Sequence, residues 1–203
     1  MKNFKTISAP AGPFLLREKK SKFLGFAFPV SSVSEAELRL ETLHKDYSDA
    51  SHLCYAYRIG VEDVHLRMND DGEPAYTAGS PISGQINAFE LYNILVCVVR
   101  YYGGTKLGAS GLTQAYREAA RGVLELAPVI LKKAGCLLRL EFDYPSLDEV
   151  MGFISQNRLE IKKQEMGLDC MLELIVKKEK SETLVQRLKT INGVRLSKKD
   201  VYI

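Results

Sequence analysis

The chain has 203 residues, 46% of them hydrophobic, and 28 Lys and Arg against 25 Asp and Glu give it a net charge of +3. That length allows one large domain or two small ones; the charge is too small to argue for nucleic acid by itself, and since acidic and basic residues are balanced in both halves, any basic surface must be built locally by folding. The early apolar run Phe14-Leu15-Leu16 is too short for a signal peptide, and the longest strongly apolar run, 94–99, is too short to span a bilayer, so the expectation is a cytoplasmic chain with no membrane partner.

Residues 14–17 and 22–30 read as strands around a charged turn that holds Lys19 and Lys20. Ser34 and Glu37 have the spacing of a capping box, and Ala36, Leu40, Leu43 and Tyr47 then mark an amphipathic helix. Residues 52–59 predict a strand with 64–68 as its hairpin partner. Charged and turn-forming residues make 69–81 a loop, and 86–93 reads as helical. The continuous apolar character of 94–101 suits a central strand. A long helix follows over 110–127, with Leu112, Ala115, Tyr116, Ala119, Val123 and Leu126 facing inward. A domain boundary falls near 132–135. Beyond it, Leu138, Leu140 and Phe142 alternate with Arg139, Glu141 and Asp143, the pattern of a half-buried strand. Ser146 and Glu149 predict a capping box for a helix that buries Leu147, Val150, Met151 and Ile154. Residues 158–164 and 168–177 form a hairpin turning at Met166-Gly167. Ser181 caps a second helix, with Leu184, Val185, Leu188 and Ile191 apolar and Asn192-Gly193 as its stop. A final strand over 194–203 completes a βαββαβ order, that of a ferredoxin-like unit. The chain is therefore read as α+β in two domains, 1–133 and 136–203.

The stretch with most chemical content is 98–108, Val-Val-Arg-Tyr-Tyr-Gly-Gly-Thr-Lys-Leu-Gly. Gly103, Gly104 and Gly108 surround Lys106, Arg100 precedes them, and a helix follows. Glycines permit positive φ and expose backbone N–H groups, and a helix N-terminus adds free N–H groups and partial positive charge. Together they suit an anion, phosphate foremost. The order is neither that of a Walker loop nor GxGxxG, so the ligand is not named, and a tight strand-to-helix turn is the competing reading. Tyr101 and Tyr102 point to opposite faces: one belongs to the core, and the other can face a ligand, an arrangement suited to single-stranded RNA. Arg100, Tyr102, Gly103, Gly104, Lys106 and Gly108 are thus the candidate anion or nucleic-acid residues. Arg17, Lys19, Lys20, Lys22, Lys162 and Lys163 are further basic candidates. The second domain lacks the sheet aromatics of an RNA-recognition motif.

Asp70, Asp71 and Glu73 crowd one loop but lack EF-hand spacing, so they read as a structural or partner-contacting loop rather than a metal site. His44 falls on a helix surface. His52 and Cys54 share a strand face at roughly 6–7 Å, too far apart for a nucleophile–base hydrogen bond. Neither GxSxG nor HExxH occurs. Cys54, Cys97, Cys136 and Cys170 lie in apolar stretches without a CxxC pair and read as buried, reduced thiols. The sequence offers no catalytic constellation, no metal set and no cofactor motif.

Four stretches, in order, carry a family resemblance: 51–58 (Ser-His-Leu-Cys-Tyr-Ala-Tyr-Arg), 70–74 (Asp-Asp-Gly-Glu-Pro) with Thr77-Ala78-Gly79, 100–108, and 111–116 (Gly-Leu-Thr-Gln-Ala-Tyr). Together they resemble the IMPACT family over residues 20–127, and the second domain matches the small domain of bacterial relatives in length and element order. The resemblance implies a first domain with the left-handed βαβ fold of elongation factor G domain IV and a second domain like domain V of that factor, folds that sit on ribosomal RNA or tRNA-shaped surfaces. It also implies a link to translation control, since eukaryotic relatives inhibit the activator of a starvation-responsive translation kinase by binding protein. Gln114 stands where the family commonly has arginine, Ser110 where glycine is common, and Tyr76 replaces a usual glycine. Fold does not fix function. The expectation is a non-enzymatic, cytoplasmic, translation-associated protein that binds RNA or ribonucleoprotein, with Arg100 and Lys106 on phosphates. The alternatives are a protein-binding regulator that uses the 70–74 loop and an enzyme acting on a phosphorylated small molecule.

Overall fold

The computed structural model describes residues 3–203; Met1 and Lys2, counted above in the first domain, lie outside the described residues. The chain divides into two compact units, Phe4–Leu131 and Lys132–Ile203, with Asn3 joining the second.

The first unit is built on an antiparallel sheet of five strands, β2 (Ala11–Glu18), β3 (Ser21–Pro29), β4 (His52–Ile59), β5 (His65–Asn69) and β6 (Ile94–Tyr101), in the order β2-β3-β6-β4-β5. β6 lies at the centre, as its apolar run requires, and every residue from Ile94 to Arg100 is buried. One sheet face, with Phe23, Cys54, Val96 and Val98, packs under α2 (Gly79–Ala88) and α3 (Gly108–Leu126). The opposite face, with Phe26, Leu53, Tyr55 and Val99, packs against α1 (Val33–Asp46). Two short strands, β1 (Phe4–Ile7) and β7 (Val129–Lys132), form a separate pair that sequence patterning did not disclose.

Local chemistry shifts three expected features. The cap of α1 is Ser32, whose Oγ accepts from the Glu35 amide at 3.2 Å, rather than the Ser34/Glu37 pair. Both registers fit the Ser-x-x-Glu pattern; the earlier one wins because the chain leaves the sheet at Val30, whose amide still bonds the Asn93 carbonyl. The expected helix over 86–93 lies earlier, at Gly79–Ala88. Charged and turn-forming residues mark 69–81 as a loop, yet Pro81 stands in the first turn of the helix, where proline forfeits no intrahelical bond; past the helix, Glu90 and Asn93 take positive φ. In α3 the inward row runs through Tyr116, Ala120 and Leu124, and Leu126 is left 63% exposed.

The second unit comprises β8 (Ala134–Asp143), α4 (Leu147–Asn157), β9 (Glu160–Glu165), β10 (Asp169–Lys177), α5 (Lys178–Leu188) and β11 (Arg195–Tyr202). Its antiparallel sheet has the order β11-β8-β10-β9, the split arrangement that a βαββαβ chain produces. Leu138, Leu140, Leu172 and Leu174 meet Val150, Ile154, Leu184 and Leu188 in its core. Neither expected serine cap forms. Ser146 turns its hydroxyl to Asp143 at 2.6 Å, and Ser181 sits inside the first turn, donating to the Lys178 carbonyl. The architecture is mixed α+β in two units.

Candidate functional site

Antiparallel register places Arg100 of β6 between Phe23 of β3 and His52 of β4, all on the face that α2 and α3 cover. That face ends where β6 leaves the sheet and the chain turns into α3. A cavity of about 540 Å³ opens there, lined by Ser51, His52, Glu73, Pro74, Arg100, Tyr102, Lys106, Leu107, Gly108, Ala109 and Leu112.

Beneath it lies a buried polar network. The Arg100 Nη1 donates to Glu73 Oε1 at 2.5 Å, and the Tyr116 hydroxyl donates to the same oxygen at 2.7 Å. The Cys54 thiol reaches the Tyr116 hydroxyl at 3.4 Å and the Asp70 carbonyl at 3.0 Å. Burial pushes the Cys54 thiol up to about 12 and the Tyr116 phenol well above its ordinary range, so both keep their protons at neutral pH. A protonated, enclosed thiol is a poor nucleophile. His52 completes the set: its Nδ1 lies 2.7 Å from the Asp71 carbonyl, an acceptor only, so Nδ1 carries the proton and Nε2 faces Glu73 Oε1 at 3.9 Å.

The acidic loop is spent within the chain. Asp70 Oδ1 accepts from the amides of Ala78 and Gly79 and Oδ2 from that of Tyr76, which anchors the start of α2. Asp71 Oδ2 accepts from the Leu53 amide at 2.7 Å. Glu73 is 9% exposed and belongs to the network above. Among the described residues, no group of three or more His, Cys, Asp or Glu is placed to hold a metal ion.

The glycine-rich segment divides by role. A Cβ on Gly103 would fall 2.1 Å from the backbone of Lys20, so this glycine lets the loop pack on the β2–β3 turn. Gly104 and Gly108 take φ of +81° and +74° with open space around them, so backbone conformation demands glycine there. Tyr101 and Tyr102 do diverge: Tyr101 packs against the α1-side core and donates to Asp49, whereas Tyr102 is 47% exposed with the Arg100 guanidinium 5.4 Å from its ring centre. Lys106 is exposed and forms no ion pair among the described residues.

Of the candidate anion residues, Arg100, Tyr102, Lys106 and Gly108 line one cavity, and Glu73 of the acidic loop joins them; Gly103, Gly104, Asp70 and Asp71 do not line it. Lys19 and Lys20 form the turn beside Gly103, and Lys163 pairs with Glu165 in the second unit. Sequence reasoning passed over Ser51 and His52 as members of the site. The signal was His52 at the mouth of a strand whose next five residues are buried and apolar or aromatic, but its partners Asp71 and Glu73 come from a loop about twenty residues away.

The Impact N-terminal domain family model matches residues 19–124. The IMPACT family member YvyE of Bacillus subtilis (strain 168) is 31% identical over 173 residues, which cover 85% of this chain and 79% of that protein. The IMPACT family member YigZ of Escherichia coli (strain K12) is 33% identical over 151 residues, 72% of this chain and 74% of its own. Among solved structures, the crystal structure of a hypothetical protein aligns over 97% of both chains with a TM-score of 0.70 at 26% identity.

Proposed function

From the premise that this chain belongs to the IMPACT family, we propose that it is a non-enzymatic, cytoplasmic, translation-associated protein that binds RNA or ribonucleoprotein where β6 runs into α3. The observation that carries this reading is convergence: an exposed lysine with no acidic partner among the described residues, a half-exposed tyrosine and the N-terminus of a 19-residue helix border one concave surface. Lys106 and the first amides of α3 meet phosphate oxygens, and Tyr102 offers a stacking face. Arg100, its charge matched by Glu73, forms the floor of the site. The domains like IV and V of elongation factor G that the family resemblance implies would agree with an RNA-facing role. A regulatory rather than catalytic role agrees with a thiol and a phenol that stay protonated and a carboxylate committed to Arg100. No described helix is long and apolar enough to cross a membrane.

Co-sedimentation of the full chain with ribosomal subunits and with tRNA across a salt series tests the reading. Affinity falls log-linearly with salt, and Lys106→Ala weakens binding at every salt concentration and lowers the slope by about one. Binding indifferent to salt and to Lys106 overturns it.

A further inference from the structure

We propose that the cavity selects a phosphate monoester carried on a nucleoside, either the phosphorylated end of an RNA strand or a free mononucleotide, over the internal phosphodiesters of a strand. The inference rests on the preceding reading only in taking this cavity as the phosphate site.

Shape is the first reason. About 540 Å³ lies within the range of small-ligand pockets, roughly 300–1,000 Å³. A concave site of that size fits one nucleotide, whereas a surface that follows an internal backbone is a groove.

Charge is the second. Among the described residues none gives the start of α3 a side-chain cap bond, and its first turn holds no acidic residue, so its amides are open to an outside acceptor. Arg100, its side chain 5% exposed, borders the same cavity with its donors poorly used: among the described residues Nε has no hydrogen-bond partner, and Nη2 reaches Ser21 Oγ at 3.5 Å. A guanidinium short of acceptors is stabilised through its charge by an anion in the cavity that it lines. Lys106 adds a full charge at the rim. His52, pinned through Nδ1 with Nε2 facing Glu73, lines the cavity wall. Glu73 is already matched by Arg100. Lys106 and the open α3 amides thus leave the cavity net positive, and a net-positive site attracts a phosphate monoester, a dianion near neutral pH with a second pKa of about 6, more strongly than an internal phosphodiester, which carries one charge.

The wall is the third. Tyr102, Pro74, Leu107 and Leu112 supply an aromatic face and apolar surface beside the charged end, the pairing that a nucleoside monophosphate presents.

The test uses the full chain and one short single-stranded RNA sequence in three forms, with a 5′-monophosphate, a 3′-monophosphate or hydroxyls at both ends, titrated by fluorescence anisotropy with AMP and adenosine as competitors. One phosphorylated form binds at least tenfold more tightly than the hydroxyl form, AMP displaces it and adenosine does not. Lys106→Gln, at an exposed position where folding is not at stake, erases the preference. RNA that binds equally with or without a terminal phosphate, and that AMP fails to displace, overturns this inference and leaves the RNA reading standing. AMP binding without RNA binding supports the monoester pocket, names the free nucleotide as its source and overturns the RNA reading. Binding of neither overturns both.

Discussion

Glu73 holds the Arg100 guanidinium at 2.5 Å and the Tyr116 hydroxyl at 2.7 Å, with the charged side chains 4% and 5% exposed. Desolvation makes such a pair costly to break and nearly neutral to replace as a whole, since removal of one partner strands the other charge out of water. Arg100→Met should therefore lower unfolding free energy by about 3–5 kcal/mol, and Glu73→Gln by a similar amount. The double variant should recover much of that loss, because neither charge is then orphaned. Urea denaturation of the four proteins measures the coupling, and additive single effects would show that the pair is not what holds the floor of the site. Little of this was legible in the sequence. Arg100 and Glu73 stand 27 positions apart, and charged residues are mostly exposed, so the glycine loop and the acidic loop read as two surfaces when they share one buried contact.

At the level of elements, periodicity was read well wherever one face is buried and misread wherever a local hydrogen bond decides. The strands of the second unit showed themselves because Leu138, Leu140 and Phe142 alternate with charge, and β6 because it is apolar throughout. The start of α2 did not, since it depends on Asp70 reaching eight and nine residues ahead to the amides of Ala78 and Gly79. The α1 terminus is the case open to measurement. Ser32 Oγ caps the helix while the Glu35 carboxylate accepts from the Ser31 amide at 2.8 Å, a bond that holds the Glu35 carboxyl below its usual range. Ser32→Ala should cost about 1 kcal/mol, and Ser34→Ala, inside the helix with no cap bond, much less. Equal losses in thermal melts of the two variants would show that the cap lies elsewhere.

For the whole molecule, the consequence of two units is two cores. The cluster around Leu140 and Leu172 shares no residue with the clusters on either side of the first unit's sheet, and every residue lining the candidate site belongs to the first unit. Leu172 is fully buried in β10, directly opposite Leu140 in register, so truncation leaves a cavity that its neighbours fill only in part. Leu172→Ala should thus cost about 2–5 kcal/mol, drawn from the second unit alone. Scanning calorimetry of the full chain then shows one transition moved to lower temperature and the other in place. Hydrogen exchange assigns the moved transition to amides of 134–202, and those of Ile94–Tyr101 keep their protection. If β6 loses protection together with β10, the two cores melt as one, and the stability of the site depends on packing in the second unit.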